Sequence, residues 1–171
     1  MKLVIINGPC GVGKSTLSTK LHADMPLSFL LEIDAQRRFI SHYREYAEES
    51  RVMNLAISKA IIKSCLEDKH DIIIDKMTFG PNILNFYYEI AETYGATVYE
   101  IILWAPKAII MKRADERGWV EDGLLTPEKC ELFWDKINEL KENRPQAHII
   151  NTENLKEDEV YRQVVKILSH E

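Results

Sequence analysis

Cysteine is scarce in this chain of 171 residues, and no apolar run is long enough to cross a membrane. Cys10, Cys65 and Cys130 are odd in number and widely spaced, so they form neither a disulfide framework nor a CxxC or Cys/His pattern for zinc. The longest apolar runs fall short of the ~20 residues that a membrane-spanning helix needs. The apolar stretch within residues 1–7 is also too short for a signal peptide. These absences predict a soluble, cytoplasmic protein.

Positive charge is in deficit as well. The chain has 22 Lys and Arg against 27 Asp and Glu, which gives a formal net charge of −5. A broad basic surface for a nucleic-acid backbone is therefore not expected, although a local basic pocket is compatible with this balance. The length fits a single domain, residues 1–171, with a core of its own.

Short apolar runs alternate with longer segments of helical periodicity. Most of the runs lack polar alternation, which is typical of strands buried on both faces of a parallel sheet. Thr126 and Pro127 have the hydroxyl and the proline of a helix start, and the apolar spacing within residues 39–47 predicts a helix there. The alternation predicts an α/β sandwich. The predicted strands are residues 2–7, 28–33, 71–75, 97–104 and 147–150.

Residues 8–16, GPCGVGKST, match the spacing G-x-x-x-x-G-K-[ST] between a predicted strand and a predicted helix. Glycines allow backbone N–H groups to converge on an anion, and the helix N-terminus adds its dipole. Lys14 is expected to reach the β- and γ-phosphates, and the hydroxyl of Ser15 is expected to ligate Mg²⁺. Cys10 is either a reactive thiol at this helix N-terminus or a loop residue without special chemistry. The loop therefore predicts a nucleoside triphosphate site formed by Gly8, Pro9, Cys10, Gly11, Val12, Gly13, Lys14, Ser15 and Thr16.

Carboxylates end two of the predicted strands. The second predicted strand ends at Glu32 and Asp34. Their spacing of two residues would place both side chains on one face of this strand. Because α/β proteins bind ligands at the carboxyl ends of parallel strands, Asp34 can accept the proton of an attacking hydroxyl, or it can simply cap the next helix. Glu32 is a candidate ligand of Mg²⁺ or of its water network. Asp75, after the third strand, either steadies the Mg²⁺ shell or forms a salt bridge with Lys14 or Lys76.

Two groups of arginines lie near these carboxylates. Arg113 and Arg117 share one helical face and precede an irregular stretch, residues 117–125, within a lid-like segment at about 115–127. They either close over transferring phosphates or carry solvated charge on the helix. Arg37 lies one turn beyond Asp34, so it can face the same pocket and bind an acidic or polyhydroxyl substrate.

Five motifs occur in a fixed order over nearly the whole chain: INGPCGVGKSTL, EIDAQR, DIIIDKMTF, KRADERG and HIINTENLKEDEV. Together they resemble the small P-loop kinases of the shikimate, gluconate and nucleoside monophosphate kinase superfamily, nearest the branch with zeta toxins, polynucleotide 5′-kinases and chloramphenicol phosphotransferase-like proteins. The resemblance implies a P-loop NTPase fold, with a five-stranded parallel sheet in the order 2-3-1-4-5. It also implies that Asp34 is the base, that Arg37 binds substrate, that Arg117 is a lid arginine and that the NTENL turn lies beside adenine.

The sequence therefore predicts a phosphotransferase that uses ATP and Mg²⁺ and moves the γ-phosphate to a hydroxyl of a small molecule. The alternatives are a nucleotide-binding switch without an acceptor, and a zeta-toxin-like or antibiotic-modifying kinase. A shikimate kinase is disfavoured because the loop after the third strand has Gly80 alone instead of a glycine triplet. The assigned roles are catalysis by Asp34, Lys14 and Arg117, nucleotide binding also by Arg113, metal binding by Ser15, Asp75 and Glu32, and acceptor binding by Asp34, Arg37 and Phe79.

Overall fold

A parallel five-stranded sheet forms the centre of the protein. The computed structural model describes residues 1–119 and 125–169. The strands are ordered β2-β3-β1-β4-β5, and every neighbouring pair is parallel, which confirms the predicted fold and strand order. The strands are β1 (Lys2–Asn7), β2 (Phe29–Glu32), β3 (Ile72–Asp75), β4 (Thr97–Trp104) and β5 (His148–Asn151).

Helices cover both faces of the sheet and complete a three-layer sandwich. A short 3₁₀ helix, Arg37–Phe39, follows α2 directly. The α-helices are α1 (Lys14–Asp24), α2 (Ile33–Gln36), α3 (Ala47–Glu67), α4 (Pro81–Tyr94), α5 (Lys107–Arg117), α6 (Pro127–Glu142) and α7 (Glu157–Ser169). Among the described residues, none of these helices is long and apolar enough to cross a membrane.

The core lies in two layers, one on each face of the sheet. Val4 and Ile6 of β1 are fully buried in a cluster that includes residues of α1, α5 and α7. Leu3 and Ile5, which point to the opposite face, are fully buried in a second cluster with residues of α3 and α4. Because both faces are covered, the strand can be apolar throughout, as the sequence indicates.

The helix predicted over residues 39–47 is wrong. The 3₁₀ helix ends at Phe39, turns follow, and α3 begins only at Ala47. His42 has a φ of 53°, a left-handed conformation that cannot continue a right-handed helix. Phe39, the first residue of the predicted apolar face, is 90% exposed.

Candidate functional site

The glycine-rich loop of residues 8–13, called the phosphate-binding loop after its sequence motif, turns sharply between β1 and α1. Gly8 and Gly13 have φ values of 145° and 100°, which side chains rarely adopt. A Cβ atom on Gly8 would overlap the carbonyl oxygen of Leu103 and lie 2.9 Å from Cγ1 of Val12. The backbone therefore approaches β4 so closely that only glycine fits at position 8.

Lys14 begins α1 and directs its side chain back over the loop. Its Nζ donates to the carbonyl oxygens of Gly8 and Pro9, both at 3.0 Å. Burial lowers the pKa of Lys14, and the negative charges of Asp75 and Asp34 act in the opposite direction. The loop thus combines a partly desolvated ammonium with a helix N-terminus, two features that favour an anion.

Asp75, at the end of β3, is 7% exposed and lies beside the loop. Its Oδ2 accepts a hydrogen bond of 3.1 Å from Oγ of Ser18, one turn after Ser15 on α1. Neither predicted salt bridge forms, because Lys14 donates to the loop carbonyls and Lys76 pairs with Asp34. Ser18 was missed by sequence reasoning. A serine on the inner face of the helix that follows a phosphate-binding loop is the signal that could have found it.

The predicted metal ligands supply only oxygen. The side chains of Ser15 and Glu32 are exposed, and Glu32 is the register partner of Asp75 on the neighbouring strand. In the part of the chain that the structure describes, no group of three or more His, Cys, Asp or Glu residues could hold a metal on its own. Hydroxyl and carboxylate oxygens suit Mg²⁺, which commonly takes one or two protein carboxylates and completes its shell with phosphates and water. The residues therefore fit a Mg²⁺ ion that is shared with a bound nucleotide.

Asp34 lies in the first turn of α2 and not on β2. The strand ends at Glu32, so the expectation that Glu32 and Asp34 share a strand face is wrong. The carboxylate of Asp34 forms an ion pair with Nζ of Lys76, which directly follows Asp75. The strand order explains this pair, since β2 and β3 are neighbours and their carboxyl ends meet at one edge of the sheet. From the sequence, Lys76 was considered only as a salt-bridge partner of Asp75. Lys76 directly follows β3, and Asp34 follows the neighbouring strand β2, so strand order is the signal that predicts their pairing.

Asn7 joins the phosphate-binding loop to the loop after β3. Its side chain is fully buried, and Oδ1 accepts from the backbone N–H groups of Gly8 at 2.8 Å and Thr78 at 3.0 Å. Its Nδ2 donates to the carbonyl oxygen of Thr78 at 2.9 Å. The next residue, Phe79, stacks on Phe133 with ring centroids 5.4 Å apart. Sequence reasoning also missed Asn7, although a polar residue at the end of an otherwise apolar strand is visible in KLVIIN.

The structure places Arg37 and Arg113 in different surroundings. Arg37 donates to Oγ of Ser50 at 3.0 and 2.8 Å and to the carbonyl oxygen of Ala47, so it braces the start of α3. Arg113 donates to Oγ1 and the carbonyl oxygen of Thr152 at 3.0 and 2.9 Å, which ties α5 to the turn after β5. Both guanidinium groups therefore have structural partners in addition to the roles predicted for them.

Arg117 is the last residue of α5 and its side chain is exposed. Within residues 1–119 and 125–169 it makes no ion pair or hydrogen bond, so no such contact joins it to the phosphate-binding loop. The lid-like segment predicted at about 115–127 lies partly outside the described residues, which omit 120–124. The lid role of Arg117 stays a prediction.

A cavity of about 260 Å³ opens between the phosphate-binding loop, α1, α7 and the turn after β5. Its walls are part apolar and part polar, and Nζ of Lys20 lies 4.5 Å from the ring centroid of Tyr161 at one side. Thr152 and Leu155 belong to the NTENL turn that the resemblance places beside adenine. The lining includes Gly11, Gly13, Thr16, Lys20, Arg113, Thr152, Leu155 and Tyr161.

Comparison with known proteins agrees with the observed fold. A family model described as an AAA domain matches residues 3–125. No curated protein matches the chain. Solved structures match its fold over nearly the whole length.

Three of these structures illustrate the likeness. The tunicamycin resistance protein of Deinococcus radiodurans has a TM-score of 0.68 at 17% identity, over 98% of this chain and 96% of its own. A gluconokinase from Sinorhizobium meliloti 1021 has a TM-score of 0.67 at 14% identity, over 99% and 98%. Deoxyadenosine kinase from M. mycoides with bound dCTP has a TM-score of 0.60 at 17% identity, over 98% of both chains. At such identities the likeness establishes a shared fold.

Proposed function

We propose that this chain, which belongs to the AAA domain family and to the small P-loop kinase superfamily, transfers the γ-phosphoryl group of ATP to a hydroxyl of a small molecule. The observation that carries the proposal is the placement of Asp34. Paired with Lys76, this carboxylate lies at the same edge of the sheet as the phosphate-binding loop. An acceptor hydroxyl held beside Asp34 would therefore be close to the terminal phosphate.

The donor half of the site is the loop and the adjoining cavity. The N-terminus of α1, the exposed hydroxyls of Ser15 and Thr16 and the ammonium of Lys14 favour a polyphosphate. The cavity beside them takes the nucleoside, with Arg113 holding the turn at Thr152. Ser15 and Asp75 would ligate Mg²⁺, with Glu32 in the surrounding water network, and the metal would neutralise part of the charge of the triphosphate.

The acceptor half of the site is built around Asp34. Its carboxylate can orient an acceptor hydroxyl and take its proton as the phosphoryl group transfers. Lys76 orients that carboxylate through the ion pair. Asn7 holds the loop after β3 next to the phosphate-binding loop, because its Oδ1 accepts hydrogen bonds from both. Arg37 and Phe79 flank this side and are the proposed acceptor contacts. Arg117, the last residue of α5, is the proposed source of additional positive charge for the transferring phosphoryl group. Catalysis is then mainly positioning and electrostatic stabilisation.

An acceptor screen followed by one variant tests the proposal. ADP release would be measured with ATP and panels of sugars, nucleosides, nucleotide-sugars and aminoalcohols, and the active acceptor would then be used with Asp34→Asn. We expect this variant to lose transfer by about a hundredfold or more, since general base catalysis typically contributes that much. ATP binding, measured by calorimetry, should remain within about twofold, because Asp34 lies outside the donor half.

Asp68→Asn is the matched control. It makes the same chemical change at the end of α3, which precedes the amino end of β3 and lies away from the site. The control should leave both transfer and ATP binding unchanged. Full transfer by Asp34→Asn with normal ATP binding would disprove the base role. ATP-dependent binding to a partner, with no ADP formed from any acceptor, would instead favour the nucleotide-binding switch.

A further inference from the structure

Two cysteines that are 120 residues apart in the sequence meet in the structure. Cys10 lies in the phosphate-binding loop and Cys130 lies on α6, and their sulfur atoms are 3.3 Å apart. Both thiols are free, and Cys130 is fully buried while Cys10 is half-buried. The third cysteine, Cys65, lies on α3 and has no sulfur partner among the described residues. The pair therefore joins the loop to the helix that follows the lid-like segment.

The separation of the two sulfur atoms is short enough for a covalent bond to form with a small movement. A disulfide has an S–S distance of about 2.05 Å, so the sulfur atoms must approach by roughly 1.2 Å. Cys130 lies in the first turns of the regular helix α6, and its side chain is buried in the core. The loop residue is therefore the one that must move.

The two thiols have different chemical environments. Burial, followed by the neighbouring Cys10, raises the pKa of Cys130 to about 12, so Cys130 stays protonated at neutral pH. Cys10 has the more accessible sulfur, because it is half-buried while Cys130 is fully buried. Cys10 is thus the sulfur that meets an oxidant first, and Cys130 is the thiol that completes the bond.

We propose that Cys10 and Cys130 are a redox modification site, at which a hydroperoxide forms a disulfide that ties the phosphate-binding loop to α6 and weakens nucleotide binding. Cys10 loses its proton and its sulfur attacks one peroxide oxygen, which breaks the O–O bond and gives a sulfenic acid. The departing oxygen takes up that proton and leaves as water or an alcohol. The sulfur of Cys130 then attacks the sulfenic sulfur, and its proton leaves with the hydroxide as a second water. Two thiols are oxidised, one hydroperoxide is reduced, and a dithiol reductant reverses the bond.

The effect on the nucleotide follows from how the loop is held. The side chain of Asn7 accepts the N–H of Gly8, and the backbone there lies too close to Leu103 to move towards β4. A displacement of Cys10 therefore changes the path of the loop between Gly8 and Lys14. The backbone N–H groups along this path are those that the proposed function assigns to the phosphates, and this part of the inference rests on that assignment. Misdirecting those groups should weaken ATP binding by about tenfold.

The test compares reduced and peroxide-treated protein by peptide mapping and by calorimetry with ATP. In the wild type and in Cys65→Ser, we expect one intramolecular Cys10–Cys130 disulfide, a loss of two hydrogens in mass and weaker ATP binding that dithiothreitol restores. Cys130→Ser and Cys130→Ala should show neither the disulfide nor the loss of affinity. Two Cys130 variants are used because one of them could fail to fold. Peptide mapping of the wild type tests for the disulfide even if neither variant folds.

Three outcomes would overturn the proposal: oxidation of Cys10 to a sulfinic or sulfonic acid without a disulfide, disulfides between chains only, or a Cys10–Cys130 disulfide that leaves ATP affinity unchanged. Failure of the reduced wild type to bind ATP would overturn the regulatory effect and the proposed function together. In that case the mapped disulfide would still establish the modification site. The two failures are therefore distinguishable in one experiment.

Discussion

Gly8 is the residue whose backbone has the least room in the site. A side chain there would combine a φ of 145° with overlap of the carbonyl oxygen of Leu103, and both are properties of the backbone that a rotamer change cannot relieve. The spacing of the motif in the sequence accounts for the glycine only as a turn residue. The contact with β4 adds a packing reason that comes from the tertiary structure.

Gly8→Ala should therefore lower the free energy of unfolding by about 2 kcal/mol, since backbone strain and a forced overlap each cost this order of energy. Gly80→Ala is the control, because a Cβ there meets no atom within 4 Å and its φ is −92°. Because Gly80 is the N-cap of α4, where alanine is less favourable than glycine, the control should lower stability by only about 0.5 kcal/mol. Urea denaturation measures both, and equal stabilities for the two variants would show that Gly8 is not constrained in this way.

The candidate site illustrates which residue roles can be predicted from local sequence. Lys14 and Ser15 are assigned by their places in one contiguous motif, and the structure puts them at the start of α1 as expected. Ser18 and Lys76 gain their roles from partners on other strands and helices, at distances of 57 and 42 residues in the sequence. Because strand order decides which residues meet, the spacing of residues within one segment of the sequence does not reveal these partners.

At the scale of the elements, α6 has the clearest local start signal. Thr126 is the N-cap, its Oγ1 accepts from the backbone N–H of Lys129 at 3.3 Å, and Pro127 occupies the first turn. This start was predicted from Thr126-Pro127 and is confirmed. It also matters for the thiol pair, since Cys130 lies in the first turns of the helix.

Thr126→Ala should lower the free energy of unfolding by about 1 kcal/mol, because it removes the hydroxyl that satisfies a free N–H group of the first turn. Thr126→Ser retains the hydroxyl and should restore most of the loss. Thermal or urea unfolding of the three proteins measures the difference. If serine and alanine proved equally destabilising, the methyl group of Thr126 would be the part that matters, and the cap would not.

The segment after β2 shows where local patterns mislead. Apolar spacing in residues 39–47 imitates a helix face, but His42 takes a left-handed conformation and α3 starts afterwards. In α3 the side chains that face inward include Asn54 and Ser58, which periodicity of apolar residues does not select. Burial there is decided by the neighbouring elements and not by the hydrophobicity of the segment.

At the scale of the whole molecule, a buried polar network joins elements that are distant in sequence. Nη2 of Arg144, after α6, lies 2.6 Å from Oε2 of Glu100 on β4, and Tyr88 of α4 donates to the same oxygen at 3.0 Å. Glu100 and Arg144 are 1% and 8% exposed. Breaking such a pair leaves a buried charge, so the network ties α4, β4 and the end of α6 into one cooperative unit.

This network gives the stability a dependence on alkaline pH. Burial, followed by the negative charge of Glu100, raises the pKa of Tyr88 from 10.0 to about 12. The folded protein therefore holds the phenolic proton more tightly than the unfolded chain does. The contribution of Tyr88 to stability is complete below pH 10 and is lost as the pH rises from 10 to about 12.

The difference in free energy of unfolding between the wild type and Tyr88→Phe should thus be constant below pH 10 and shrink between pH 10 and about 12. Urea denaturation of both proteins across this range measures it, and other titrating groups cancel in the difference. A difference that grows with pH would mean that the folded state favours the phenolate, contrary to the burial of Tyr88 beside Glu100.

The sequence alone determined the five strands and the glycine-rich turn between β1 and α1, because these depend on interactions between near neighbours. Continuous apolar strands, the glycine spacing and the Thr-Pro start are local patterns, and the structure reproduces them. The order of the five strands came from the family resemblance, which carries tertiary information that periodicity lacks. Only the tertiary structure decided the pairing of Asp34 with Lys76, the bridge of Asn7 between two loops and the meeting of Cys10 with Cys130. Each of these contacts joins side chains whose distance is set by the folding of the whole chain.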